Sequence, residues 1–122
     1  MTYVFRGACS PPADLCLDSI EVVWDDAGEA VVFVRGELDR AAVPSVAECL
    51  RAVLDAGGPG RSIVVNLADT TFVDVGGLSF LFEAAGWATE RGSRLYLAGC
   101  SARLVRLLHL TDHWSALDVI PG

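Results

Sequence analysis

Apolar residues along this chain alternate between two periods. Residues 20–24 (Ile-Glu-Val-Val-Trp) and 30–36 (Ala-Val-Val-Phe-Val-Arg-Gly) are rich in β-branched side chains, and residues 25–29 between them have turn composition. The pair predicts a β-hairpin. Val43, Val46, Ala47, Leu50, Val53 and Leu54 then recur at intervals of three and four, which predicts a helix with one apolar face. Pro44 falls in its first turn, where a missing N–H is harmless, and Gly57-Gly58-Pro59-Gly60 ends it. Residues 62–67 form a nearly continuous apolar run, as expected of a central strand buried on both faces. Asp74 leads a second helical run to about Ala88, closed by Arg91-Gly92. Residues 94–98 predict a further strand. Ser101 is placed to cap a helix to about Leu110, with Leu104, Leu107 and Leu108 as its buried stripe. Residues 118–120 read as a short last strand or a tail.

The order β-β-α-β-α-β-α places the chain in the α/β class: an N-terminal hairpin, then βα units, in a mixed β-sheet with helices packed on it. At 122 residues it is one domain with room for a real core. Residues 1–18 contain Pro11-Pro12 and no clear period. They read as an N-terminal arm, irregular and partly packed, with an edge strand at Tyr3-Val4-Phe5 as the alternative. Residues 19–122 make up the domain proper. Its middle helix is the greasiest, and Phe82 and Trp87 there belong either to the core or to an interface.

The most informative run is Phe72-Val73-Asp74-Val75-Gly76-Gly77-Leu78-Ser79. Asp74 suits an N-cap, whose carboxylate accepts from the unpaired N–H groups of the first turn. The two glycines strip side chains from the positive end of the helix, leaving a bare surface that another backbone or an anion can approach.

Composition removes several functions. The hydrophobic fraction is 52%, yet no apolar run approaches the ~20 residues needed to cross a bilayer, and the N-terminus lacks the basic-then-apolar order of a signal peptide. A cytoplasmic protein without membrane insertion is expected. A net charge of −7 argues against nucleic acid, which requires a basic face, and Arg94, Arg103 and Arg106 do not make one. The four cysteines, at 9, 16, 49 and 100, lack zinc spacing and are expected as free thiols. His109 and His113 are four apart but lack the glutamate and third ligand of a zinc site, so no metal is expected. Gly57–Ser62 lacks the lysine of a phosphate loop. Cys100-Ser101 lies where a nucleophile could sit, with no partner to activate it. No catalytic constellation and no cofactor emerge.

Four segments in order carry a resemblance: Gly36-Glu37-Leu38-Asp39, Val65-Asn66-Leu67, Phe72 to Leu78, and Ser101 to Thr111. The chain resembles the STAS domain family, the bacterial anti-sigma factor antagonists and their relatives, over roughly residues 19–120. The resemblance implies a mixed sheet and a protein-binding module, not an enzyme, that takes an anti-sigma factor with kinase activity. It also implies a phosphorylation switch at the start of the central helix, where the family pattern is Asp-Ser-Ser-Gly-Leu or Asp-Thr-Ser-Gly-Leu. Here Asp74 and Gly77-Leu78 match, but Val75 and Gly76 replace the hydroxyl residues and Gly76 stands at the acceptor position. Phosphorylation at that position is therefore not expected, and Ser79, Thr70 and Thr71 are the nearby alternatives. The partner-binding residues implied are Asp39, Asp74, Val75, Gly76, Gly77, Leu78 and Ser79. Asp39 has a second reading, as a local hydrogen bonder in its loop. An accessory subunit of a transporter ATPase and a nucleotide-binding sensor are the other functions that the family offers.

Overall fold

The structure is a computed structural model that describes residues 3–5, 17–24, 29–57, 60–110 and 117–120. Its strands are β1 (Tyr3–Phe5), β2 (Leu17–Trp24), β3 (Ala30–Leu38), β4 (Ser62–Asn66), β5 (Thr70–Val73), β6 (Arg94–Ala98) and β7 (Asp118–Val119). The helices are α1 (Val43–Gly57), α2 (Val75–Glu90) and α3 (Ala102–His109). The strands form one mixed sheet in the order β1-β2-β3-β4-β6-β7, with β5 also on β3. The first three strands are antiparallel, and β3 through β7 pair in parallel.

Parallel neighbours require crossovers, and right-handed crossovers in one direction put α1 and α2 on the same face. The covered face follows from period-two alternation. Ala30, Val32, Val34 and Leu38 of β3, Ile63 and Val65 of β4 and Leu95 and Leu97 of β6 are buried there. Val46, Cys49, Leu50, Val53 and Leu54 of α1 pack onto them, with Phe80, Leu81, Ala84 and Ala88 of α2.

The other face departs from expectation. In β4 only Ile63 and Val65 are buried and Val64 is half-exposed, so this strand is not closed on both sides. The irregular arm expected over residues 1–18 is also not what its described part forms: Tyr3–Phe5 is an edge strand on Val22–Trp24, and β2 starts at Leu17. Cys9, Cys16 and His113 lie outside the described residues.

Strand β5 had no counterpart in the sequence reading. It exists because β3 runs two residues past Gly36, through a register shift, and offers Gly36 to Thr70, Glu37 to Phe72 and Leu38 to Val73. Thr70 strengthens the join, its hydroxyl donating to the Val34 carbonyl at 2.6 Å. Trp87 meets Phe80 edge-on at 5.6 Å and lies 4.3 Å beneath the Arg51 guanidinium, so within the monomer it packs between α2 and α1. On α3, Leu104 and Leu108 are buried, but Leu107 is 39% exposed, against the stripe expected for it. A three-residue step turns a side chain about 300° round a helix axis, which places Leu107 at the border of the buried face.

Candidate functional site at the start of α2

Asp74 ends β5 and begins α2, and each of its polar groups is used. Oδ1 accepts from Gly77 N–H at 2.8 Å, closing the N-cap. Oδ2 accepts from Arg40 N–H at 3.2 Å, which ties α2 to the loop between β3 and α1. The Asp74 backbone donates to the Leu38 carbonyl at 3.3 Å and accepts from Leu78 N–H at 2.9 Å. The Gly77 hydrogen bond is the largest influence holding the Asp74 carboxyl below its ordinary value, with desolvation opposing and the Arg40 and Gly76 N–H groups and the Arg40 charge assisting.

The stability linked to a depressed carboxyl pKa is complete above the unfolded value near 3.8 and is lost as pH falls through the lower folded value. Urea titrations of wild type, Asp74→Asn and Asp74→Ala test this. At pH 7 Asp74→Ala is expected to have the lowest midpoint, and its gap from wild type closes as pH drops below about 4. Asp74→Asn retains a cap, and its midpoint lacks that acid-range contribution. A gap between wild type and Asp74→Ala that does not change down to pH 2 contradicts this role.

Asp39 sits across the same corner. Its Oδ1 accepts from Ala42 N–H at 2.9 Å and its backbone carbonyl from Ala42 and Val43, so it organises the turn into α1. The adjacent Arg40 sets its Cα and Cβ against the first turn of α2. A Cβ added to Gly76 would lie 3.1 Å from Arg40 Cβ and 3.3 Å from Asp74 Oδ1. Position 76 is therefore both bare and nearly filled.

The remaining residues of the expected face divide by depth. Val75 is 78% exposed, and Ser79 is exposed on the same side one turn later. Gly77 is buried, and a Cβ there would fall on the Leu38 carbonyl oxygen, so it serves close packing of α2 on β3 and offers no contact surface. Leu78 is half-buried and packs on the core. Of the nearby hydroxyls, Thr70 is committed to Val34, while Thr71 and Ser79 are exposed. Sequence reasoning missed Arg40, which lies 34 residues from Asp74 and carries no local signal of that contact.

No group of metal-ligating side chains occurs among the described residues. Burial pushes the Cys100 thiol up, opposite to an activated nucleophile, and Ser101 Oγ accepts from Leu104 N–H at 3.1 Å as a helix cap. No helix among the described residues is long and apolar enough to cross a membrane.

A family profile described as "Mlab, STAS domain" matches residues 23–113. The chain belongs to the STAS family. An anti-sigma-B factor antagonist from Listeria monocytogenes is 32% identical to this STAS chain over 101 residues, covering 83% of it and 87% of the relative. One from Staphylococcus aureus is 34% identical over 91 residues, covering 75% and 82%. Among solved structures, an anti-sigma factor antagonist from Mycobacterium paratuberculosis superposes with a TM-score of 0.64 at 28% identity, covering 93% of this STAS chain and 91% of that one. The mixed sheet and its helices are thus those of the STAS fold.

Proposed function

We propose that this STAS domain is a non-enzymatic binding module of the anti-sigma factor antagonist kind, and that it docks a kinase-like anti-sigma factor without phosphorylation at the usual position. The observation that carries the reading is Gly76. It has no hydroxyl, and Arg40 Cβ stands 3.1 Å from where a side chain would begin. A phosphate adds about −1.5 to −2 charges and blocks an acidic or apolar partner. With no acceptor at 76, that control is absent and the surface keeps its unmodified character. The names of the relatives supply the class of partner.

The contact surface in this reading is Val75, Gly76 and Ser79 with the Asp39–Arg40 loop, shaped by the Asp74 cap. Gly76→Trp tests it. Affinity capture from extract of the native cells, wild type beside variant, is expected to recover an anti-sigma factor with wild type only. The loss corresponds to at least ~2 kcal/mol, about 30-fold in Kd, if position 76 lies at the packed centre. A variant with an unchanged circular dichroism spectrum that still captures the partner removes this face from the proposal.

A further inference from the structure

A groove of about 180 Å³ runs between β5 and α3, walled by Leu67, Phe72, Val73, Leu104 and Leu107, with Arg103 at its side. It opens at the carboxyl end of the parallel strands, where crevices in α/β sheets commonly take ligands. Phe72, 47% exposed, and Leu107, 39% exposed, line the same groove, so two large apolar side chains face solvent together there.

Size selects the occupant. Pockets for drug-sized ligands hold about 300–1,000 Å³, whereas a cavity near 150 Å³ accommodates a single benzene ring. The closed part of the groove therefore fits one bulky side chain. Of its polar wall groups, Thr70 donates to the Val34 carbonyl and Ser101 accepts from Leu104 N–H, which leaves Thr71 and Arg103 beside a mainly apolar lining. Arg103 makes no ion pair or hydrogen bond with the described residues, in a chain whose net charge is −7. A guanidinium without a partner among the described residues, beside an apolar slot, suits a carboxylate next to an apolar side chain.

We infer that the groove between β5 and α3 is an anchor pocket for a protein partner, which inserts one leucine, methionine or aromatic side chain and sets an aspartate or glutamate against Arg103. The inference rests on the protein-binding reading above and extends it, because Val73 lines the groove and is followed directly by Asp74 of the α2 face. A partner gripping the α2 start has this hole at the border of its footprint. Buried anchors of this kind carry most of the energy of an interface.

The test uses a display library of random 12-residue peptides selected on the full chain, with Leu107→Asp as the counter-target. Enriched peptides are expected to pair an aromatic, leucine or methionine residue with an acidic one within a turn of helix. Their binding is expected to fall about tenfold or more on Leu107→Asp and on Phe72→Ala. Arg103→Glu is expected to weaken it severalfold and to reverse its salt dependence, because added salt then screens a repulsion instead of an attraction. Both apolar sites are partly exposed, so circular dichroism is expected to be unchanged.

No enrichment over the counter-target, or peptides that bind the Leu107→Asp variant equally well, overturns the inference. Gly76→Trp separates it from the reading beneath it. Groove peptides that survive Gly76→Trp while partner capture is lost uphold both surfaces. Capture lost through Gly76→Trp but unaffected by Leu107→Asp and Arg103→Glu overturns the anchor pocket and leaves the α2 face standing.

Discussion

Replacing Gly77 by alanine is expected to destabilise the fold by about 1–3 kcal/mol, far more than the added methyl suggests. A Cβ at 77 lands on the Leu38 carbonyl oxygen and lies 3.1 Å from Leu38 C and Cγ. None of these atoms can move cheaply. Leu38 is fully buried at the end of β3, and its carbonyl accepts from Asp74 N–H. To make room, α2 must lift from the sheet at the point where its cap is tied down, and the Gly77 N–H bond to Asp74 is strained with it. Gly76→Ala is the matched control. A Cβ there meets Arg40 Cβ at 3.1 Å and Arg40 Cα and Asp74 Oδ1 at 3.3 Å, which need give only a few tenths of an ångström, and a glycine-to-alanine change in a helix recovers up to about 1 kcal/mol. Urea denaturation of the two variants is expected to differ by well over 1 kcal/mol, with Gly76→Ala near wild type. Equal midpoints would show that α2 is not seated on the Leu38 carbonyl.

Gly99→Ala is the second large effect, expected at about 2–4 kcal/mol. Gly99 has a φ of +68°, a conformation that costs an L-residue energy in any surroundings. The space is also taken: a Cβ there would lie 2.7 Å from Ala68 N, 2.8 Å from Ala68 Cβ and 2.9 Å from Ala68 Cα. Ala68 belongs to the turn between β4 and β5, held by Asn66 Oδ1 at 2.9 Å, and Gly36 N–H bonds the next carbonyl, that of Asp69. The contact therefore pins the exit of β6, and with it Ser101 and α3, against β5. Beyond lowering the denaturation midpoint, Gly99→Ala is expected to weaken peptides held in the groove between β5 and α3. Gly86→Ala, an exposed helix position with nothing within 4 Å, is expected to stabilise by up to about 1 kcal/mol. If both variants have the same midpoint, the Gly99–Ala68 contact does not constrain the fold.

Local rules made much of this protein legible from its residues. The first and last helices were readable from 3.6-residue periodicity, the middle one from a capped apolar run of helical length, and Asp74 and Ser101 from the shortage of hydrogen-bond partners at helix starts. The order of strands and helices then restricted the sheet to a few mixed topologies. These features depend on residues within about one helical turn of each other, or on the chain's need to hide one face.

Contacts between distant segments were not legible in this way. Thr70–Val73 has strand composition, yet it is a strand only because β3 continues past Gly36 to pair with it. Leu107 and Val64 fit buried patterns and are partly exposed, because burial depends on what lies across from a side chain and not on its own hydrophobicity. At the proposed site the motif Asp-Val-Gly-Gly-Leu marked the place but did not assign its parts. Gly77 is needed under α2 because the Leu38 carbonyl is there, and position 76 has little room for a side chain because Arg40 is tied to Asp74 beside it. Both partners lie more than thirty residues away in the chain, where only the closed sheet brings them into contact.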